Sequence, residues 1–68
     1  MQTVTVDGYS VKAWQDWESG EWVADCPTVG TVAQEATREE VLVAIRTSIH
    51  GMLATLRDGG HPVLDRDA

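Results

Sequence analysis

The side chains best suited to chemistry are few and scattered. Cys26 is the single cysteine of the 68 residues. It ends the alternating run Glu21-Trp-Val-Ala-Asp-Cys26, on the same face as Trp22 and Ala24, so it reads as a buried core thiol with no base beside it. His50 falls outside the apolar stripe of a helix and His61 sits in a Gly-Pro turn, with no Cys or carboxylate at metal-ligand spacing from either. Glu39 and Glu40 are adjacent, so on a helix they point in different directions, and Glu40 has a capping role already. Paired acid/base catalysis is therefore not supported. Gly59-Gly60 lacks the preceding strand, the further glycines and the Lys of a phosphate loop, and reads as a helix cap. The expectation is a chain with no catalytic residues, no metal and no cofactor, and so not an enzyme.

Charge narrows the function classes further. Five Lys+Arg face eleven Asp+Glu, a net charge of -6. Residues 1–35 carry six acids (Asp7, Asp16, Glu18, Glu21, Asp25, Glu35) against Lys12 alone, whereas residues 36–57 carry a net of +1. Phosphate neutralisation needs a basic patch, so direct nucleic-acid binding is not expected, while a basic protein partner would suit the acidic half. A lone cysteine, no secretory leader and no apolar run of roughly 20 residues point to the cytoplasm and away from a membrane. A chain this small buries only about 60% of its unfolded surface. With 43% hydrophobic residues and neither disulfide nor metal to supplement the core, a homo-dimer or higher oligomer is expected.

The elements that must position these residues follow from periodicity. Thr3–Val6 and Tyr9–Trp14 alternate polar and apolar residues around Asp7-Gly8, a favoured two-residue hairpin turn. Glu18-Ser19-Gly20 turns the chain into the strand Glu21–Cys26, which Pro27 ends. A loop through Thr28, Val29 and Gly30 leads to a short strand, Thr31–Glu35. There the period changes from 2 to 3.6. Thr37-Arg-Glu-Glu40 has the form of a capping box, and Leu42, Ile45, Ile49, Met52, Leu53 and Leu56 then form an apolar stripe with Val41 on its flank. The helix is expected over about 38–57, capped by Asp58-Gly59-Gly60, with Pro62-Val-Leu64 as a short final strand. Residues 1–68 read as one α+β domain, a small antiparallel sheet with one amphipathic helix packed on one face.

Two features suggest contact. Trp14 has the parity opposite to Tyr9, Val11 and Ala13 and shares its outward face with Lys12, a placement that suits a hot-spot residue. The helix's far side, with Val43, Ala44, Thr47, Ser48, Gly51, Ala54 and Thr55, is small and nearly chargeless. Gly51 inside a helix costs about 1 kcal/mol relative to Ala, a cost better tolerated where another backbone approaches closely. Trp14, Val43, Thr47, Gly51 and Ala54 are thus the candidate self-association residues. Glu18, Glu21 and Asp25, with Trp14 or Trp17 as apolar anchor, are the candidate partner-binding residues.

The run Trp22-Val-Ala-Asp-Cys-Pro27, then Val29-Gly-Thr-Val32, Ala33-Gln-Glu-Ala-Thr37 and Glu39-Glu40, resembles the pattern of the HicB-like antitoxins. The closing Asp58-Gly-Gly-His-Pro-Val63 resembles that family's ending, and the likeness spans roughly residues 9–64. Glu35 stands where Gly is common and Val41 where Ala is common. The resemblance implies a β-β-β-α-β arrangement, a partial RNase H-like fold without catalytic carboxylates of its own. It implies a module that neutralises a HicA-type mRNA-cleaving toxin by covering its active surface. Many members add a DNA-binding module at the C-terminus, and this chain is expected to lack one. The alternative reading is a solitary homo-oligomeric HicB-like regulator or ligand-binding domain with no toxin partner.

Overall fold

The computed structural model describes residues 1–60 and 65–67. Alternation of Thr and Val folds Gln2–Val6 (β1) against Tyr9–Gln15 (β2) in an antiparallel hairpin. Both turn residues have positive φ, 50° at Asp7 and 88° at Gly8. Two successive left-handed residues make the turn that matches strand twist, and Asp and Gly are the residues that tolerate it. A Cβ at Gly8 would also lie 2.5 Å from Arg66 Cδ, so the Arg66 side chain would have to shift. β2 pairs with Trp22–Cys26 (β3) and β3 with Thr31–Glu35 (β4), all antiparallel and in chain order. The helix Arg38–Asp58 (α1) returns over β3 and β4.

The antiparallel sheet beneath one amphipathic helix is the architecture the residues predict. Four strands precede the helix, so Thr31–Glu35 is a full member of the sheet, where the β-β-β-α-β order has only three ahead of α1. The final strand expected at Pro62-Val-Leu64 lies outside the described residues.

The core sits between the helix and the inner sheet face, and its shape comes from a cross-strand row of alanines. Ala13 pairs with Ala24 and Ala24 with Ala33, a shallow trough across β2, β3 and β4. Val41, Ile45 and Ile49, spaced by four along α1, are fully buried together with Val11, Ala24 and Cys26. This corrects the expected rotation of the helix, because Val41 is a fully buried member of that line and not on its flank. Leu42 and Leu53 pack against the core from its edges, and Met52 is 38% exposed. A small-residue trough accepts one tightly spaced i, i+4 line of β-branched side chains, whose branching at Cβ keeps their bulk close to the backbone, and the longer-reaching Leu and Met side chains flank it.

The start of α1 also differs in detail from a reciprocal capping box. Thr37 Oγ1 accepts from the Glu40 amide at 3.1 Å as expected, but the same hydroxyl donates to Glu40 Oε1 at 2.9 Å, so the carboxylate closes on the side chain of Thr37 and not on its amide. At the other end Gly59 donates to Thr55 O and Gly60, with φ of 75°, to Arg57 O, the expected glycine ending. Asp67 ties the tail to the sheet by accepting from the Ser10 amide at 2.8 Å and the Thr28 hydroxyl at 2.8–2.9 Å.

Candidate interaction surface

Strand parity sends a second set of side chains to the face of the sheet opposite α1. Register aligns Thr3, Lys12, Asp25 and Val32 in one cross-strand row and Trp14, Val23 and Gln34 in the next. Trp14 and Val23 are half-buried, and Val32 is 61% exposed. Among the described residues no helix packs on this face. Glu21 precedes β3 with the same parity, and its Oε2 accepts from Gln34 Nε2 at 2.6 Å, which holds the carboxylate beside the Trp14 row. Asp25 stands directly across from Lys12 in the β2–β3 register.

The turn between β2 and β3 carries the remaining candidates at one end of this face. Asp16 organises it, accepting the Glu18 amide at 3.0 Å and the Ser19 hydroxyl at 3.2 Å while its own carbonyl accepts from Gly20. Gly20, with φ of 75°, completes the reversal. The turn leaves Trp17 at 88% exposure with Glu18 beside it. Trp14 and Glu21 therefore lie at the end of the outer face from which the turn bearing Trp17 and Glu18 projects, and Asp25 lies farther along it.

The small-residue candidates are elsewhere. Val43, Thr47 and Gly51 are exposed along the outer side of α1 and Ala54 is half-buried, so they form a surface separated from Trp14 by the thickness of the domain. Thr47 and Thr55 donate to the carbonyls of Val43 and Gly51 at 3.1 and 2.9 Å, which consumes their polarity within the helix. Among the described residues, nothing outside the helix's own backbone comes within 4 Å of a Cβ built on Gly51, so they make no close approach there.

One cluster was missed by sequence reasoning. Asp7, read only as a turn residue, accepts from Arg46 Nε at 3.2 Å and from His50 Nε2, clamping the hairpin to α1. Arg46 and His50 are four apart on one flank of the helix, which is a visible signal, but their partner is set by tertiary placement. The His50 hydrogen bond, with the Arg46 charge beside it, holds the Asp7 carboxyl below its usual range despite an opposing effect of desolvation. A depressed carboxylate pKa gives stability that is present above the unfolded-state pKa and lost as pH falls through the folded one. Asp7→Asn keeps the left-handed preference of the turn and removes the charge. Its melting temperature should fall slightly below the parent's near neutral pH, and the gap should close in acid below the ordinary carboxylate range. The effect is small because the pair is open to solvent. A gap that is constant across that range would contradict the clamp.

Among the described residues no group of three His, Cys, Asp or Glu side chains could hold a metal, and no helix is long and apolar enough to cross a membrane. Neither the family models, nor the curated proteins, nor the solved structures contain a match to this chain. The class that fold and surface define is a small α+β domain, an up-and-down four-stranded sheet backed by one helix, with no other described helix on its opposite face.

Proposed function

We propose that this chain is an antitoxin-like protein-interaction module that neutralises a HicA-type mRNA-cleaving toxin by covering its active surface. The observation that carries the reading is the coincidence of acid and aromatic surface on the outer sheet face, with Trp14 and Glu21 at the end from which the turn bearing Trp17 and Glu18 projects, and Asp25 along it. An RNA-cleaving partner must hold phosphates with basic groups, and an inhibitor blocks it by setting negative charge and an apolar anchor over those groups. The resemblance of Trp22–Pro27 and the segments after it to the HicB-like pattern points the same way. The module acts in the cytoplasm, without catalysis or cofactor of its own, and self-associates.

The second reading, a solitary homo-oligomeric regulator or ligand-binding domain, draws on the low-charge side of α1 around Val43, Thr47, Gly51 and Ala54. Capture of the tagged chain from its native host followed by mass spectrometry separates the two. The antitoxin reading expects a small basic RNase in the complex. Recovery of the chain with copies of itself alone favours the second reading.

A further inference from the structure

β1 is an edge strand whose sequence, Gln-Thr-Val-Thr-Val, holds no charge and no proline. Natural edge strands are usually blunted by charged residues, proline or bulges, because their unpaired backbone groups template further pairing. In a two-residue hairpin the flanking residues, here Val6 and Tyr9, exchange backbone hydrogen bonds, and bonded and non-bonded pairs alternate from there. The amides and carbonyls of Thr5 and Thr3 therefore point away from β2, out of the sheet. The same parity turns the Ser10 amide away from β1, and its donation to Asp67 is consistent with that assignment.

Beside this edge lies a groove lined by Val4, Val6, Leu42 and Val43, with Val43 66% exposed. Its ends are polar, held by the Arg38 Nε bond to Gln2 Oε1 at 2.8 Å and by the Arg46 pair with Asp7. An apolar strip with a polar rim, beside backbone groups that no other described strand pairs, is the form of a strand-addition site.

We infer that the occupant is β1 of a second copy, paired antiparallel about a two-fold axis at Val4. This rests on the reading that the chain self-associates, and names the surface. The spacing is self-complementary: with Val4 facing its counterpart, Thr3 of each copy meets Thr5 of the other, and all four outward-pointing backbone groups of each strand are paired. The two Val4 side chains then meet on the helix side at the closest cross-strand spacing and extend the groove's apolar lining. Charge favours this edge over the other. Joining copies of a chain with net charge -6 requires a neutral seam. β4 ends at Glu35, close to Glu39 and Glu40, so a seam there would gather these acids of both copies, with no base among the residues around them. At β1 the Arg38 end of one copy lies beside the Asp7 end of the other. The resulting eight-stranded sheet leaves both outer faces, with Trp14 and Glu21, free.

Sedimentation equilibrium of the full chain at micromolar concentration, with Thr5→Pro and Val4→Cys, tests the assignment. Proline at position 5 deletes an outward amide without removing a β1–β2 bond. The parent should sediment at twice its 7.4 kDa. Thr5→Pro should sediment as a monomer with an unchanged circular dichroism spectrum. Under mild oxidation Val4→Cys should become a covalent dimer, whereas Val32→Cys, exposed on the outer face, should not; native Cys26 is buried and does not compete. A dimeric parent whose Thr5→Pro stays dimeric and whose Val4→Cys does not cross-link overturns the edge while leaving self-association standing. A parent that stays at 7.4 kDa overturns both. Should Thr5→Pro fail to fold, the contrast between the two cysteine variants decides.

Discussion

Ile49→Ala is expected to unfold the isolated domain or bring it close to unfolding. Ile49 is fully buried at the end of the line it forms with Val41 and Ile45, packed in the cluster that includes Val11, Ala24 and Cys26. Truncation of such a side chain costs about 2 to 5 kcal/mol through lost transfer energy and the cavity left behind. Small domains hold only about 5 to 15 kcal/mol in total. For a chain of this length a loss of about 2 kcal/mol already lowers the melting temperature by roughly 8 to 16 °C. The control is Val43→Ala, at a position 66% exposed, where a change within about 0.5 kcal/mol is expected. Thermal melts of the two variants read the helix rotation directly. An unchanged melt for Ile49→Ala with a collapse for Val43→Ala would mean that α1 presents its other side to the sheet.

The second large effect concerns the proposed partner. Reversing Glu21 and Asp25 to Lys adds two charges at each position and takes the net charge from -6 to -2. Association with a basic RNase should slow by about tenfold or more at low salt, with the difference shrinking as ionic strength rises. In co-expression, the variant should protect cells less than the parent at matched protein levels. The geometry adds a control that the charge count alone does not suggest. A lysine at position 25 would stand opposite Lys12, and like charges directly across a sheet destabilise it. Glu21→Gln with Asp25→Asn removes the acid without that repulsion, and should give an intermediate slowing with a melt near the parent's. Equal protection by parent and both variants would remove the outer face as the site of electrostatic occlusion and shift attention to the side of α1 around Val43 and Thr47.

Much of the fold was legible because its signals are local. Asp7-Gly8 specifies a turn, Pro27 ends β3, and Thr37-x-x-Glu40 starts α1, and none of these depends on which elements meet. Strand parity alone put Trp14, Glu21 and Asp25 on the face away from the helix. What was not legible depends on tertiary placement. Val41 joins the buried line because the helix lies over the alanine row through Ala13, Ala24 and Ala33, and that row exists only once three strands are in register. The Asp7 clamp to Arg46 and His50, and the Asp67 contacts with Ser10 and Thr28, join residues 39 to 57 positions apart. The candidate partner-binding residues were found by type and parity, and the hydrogen bond that orients Glu21 through Gln34 required the β3–β4 register.

Titration shows whether this domain silences an RNA-cleaving protein by covering its active surface. A HicA-like RNase recovered with the chain is separated from it, given a defined messenger RNA, and assayed as the chain is added back. The account predicts that cleavage falls in proportion to added chain and ends near a fixed stoichiometric ratio, and that RNA competes with the chain for the RNase. Undiminished cleavage in the presence of excess folded chain would contradict it.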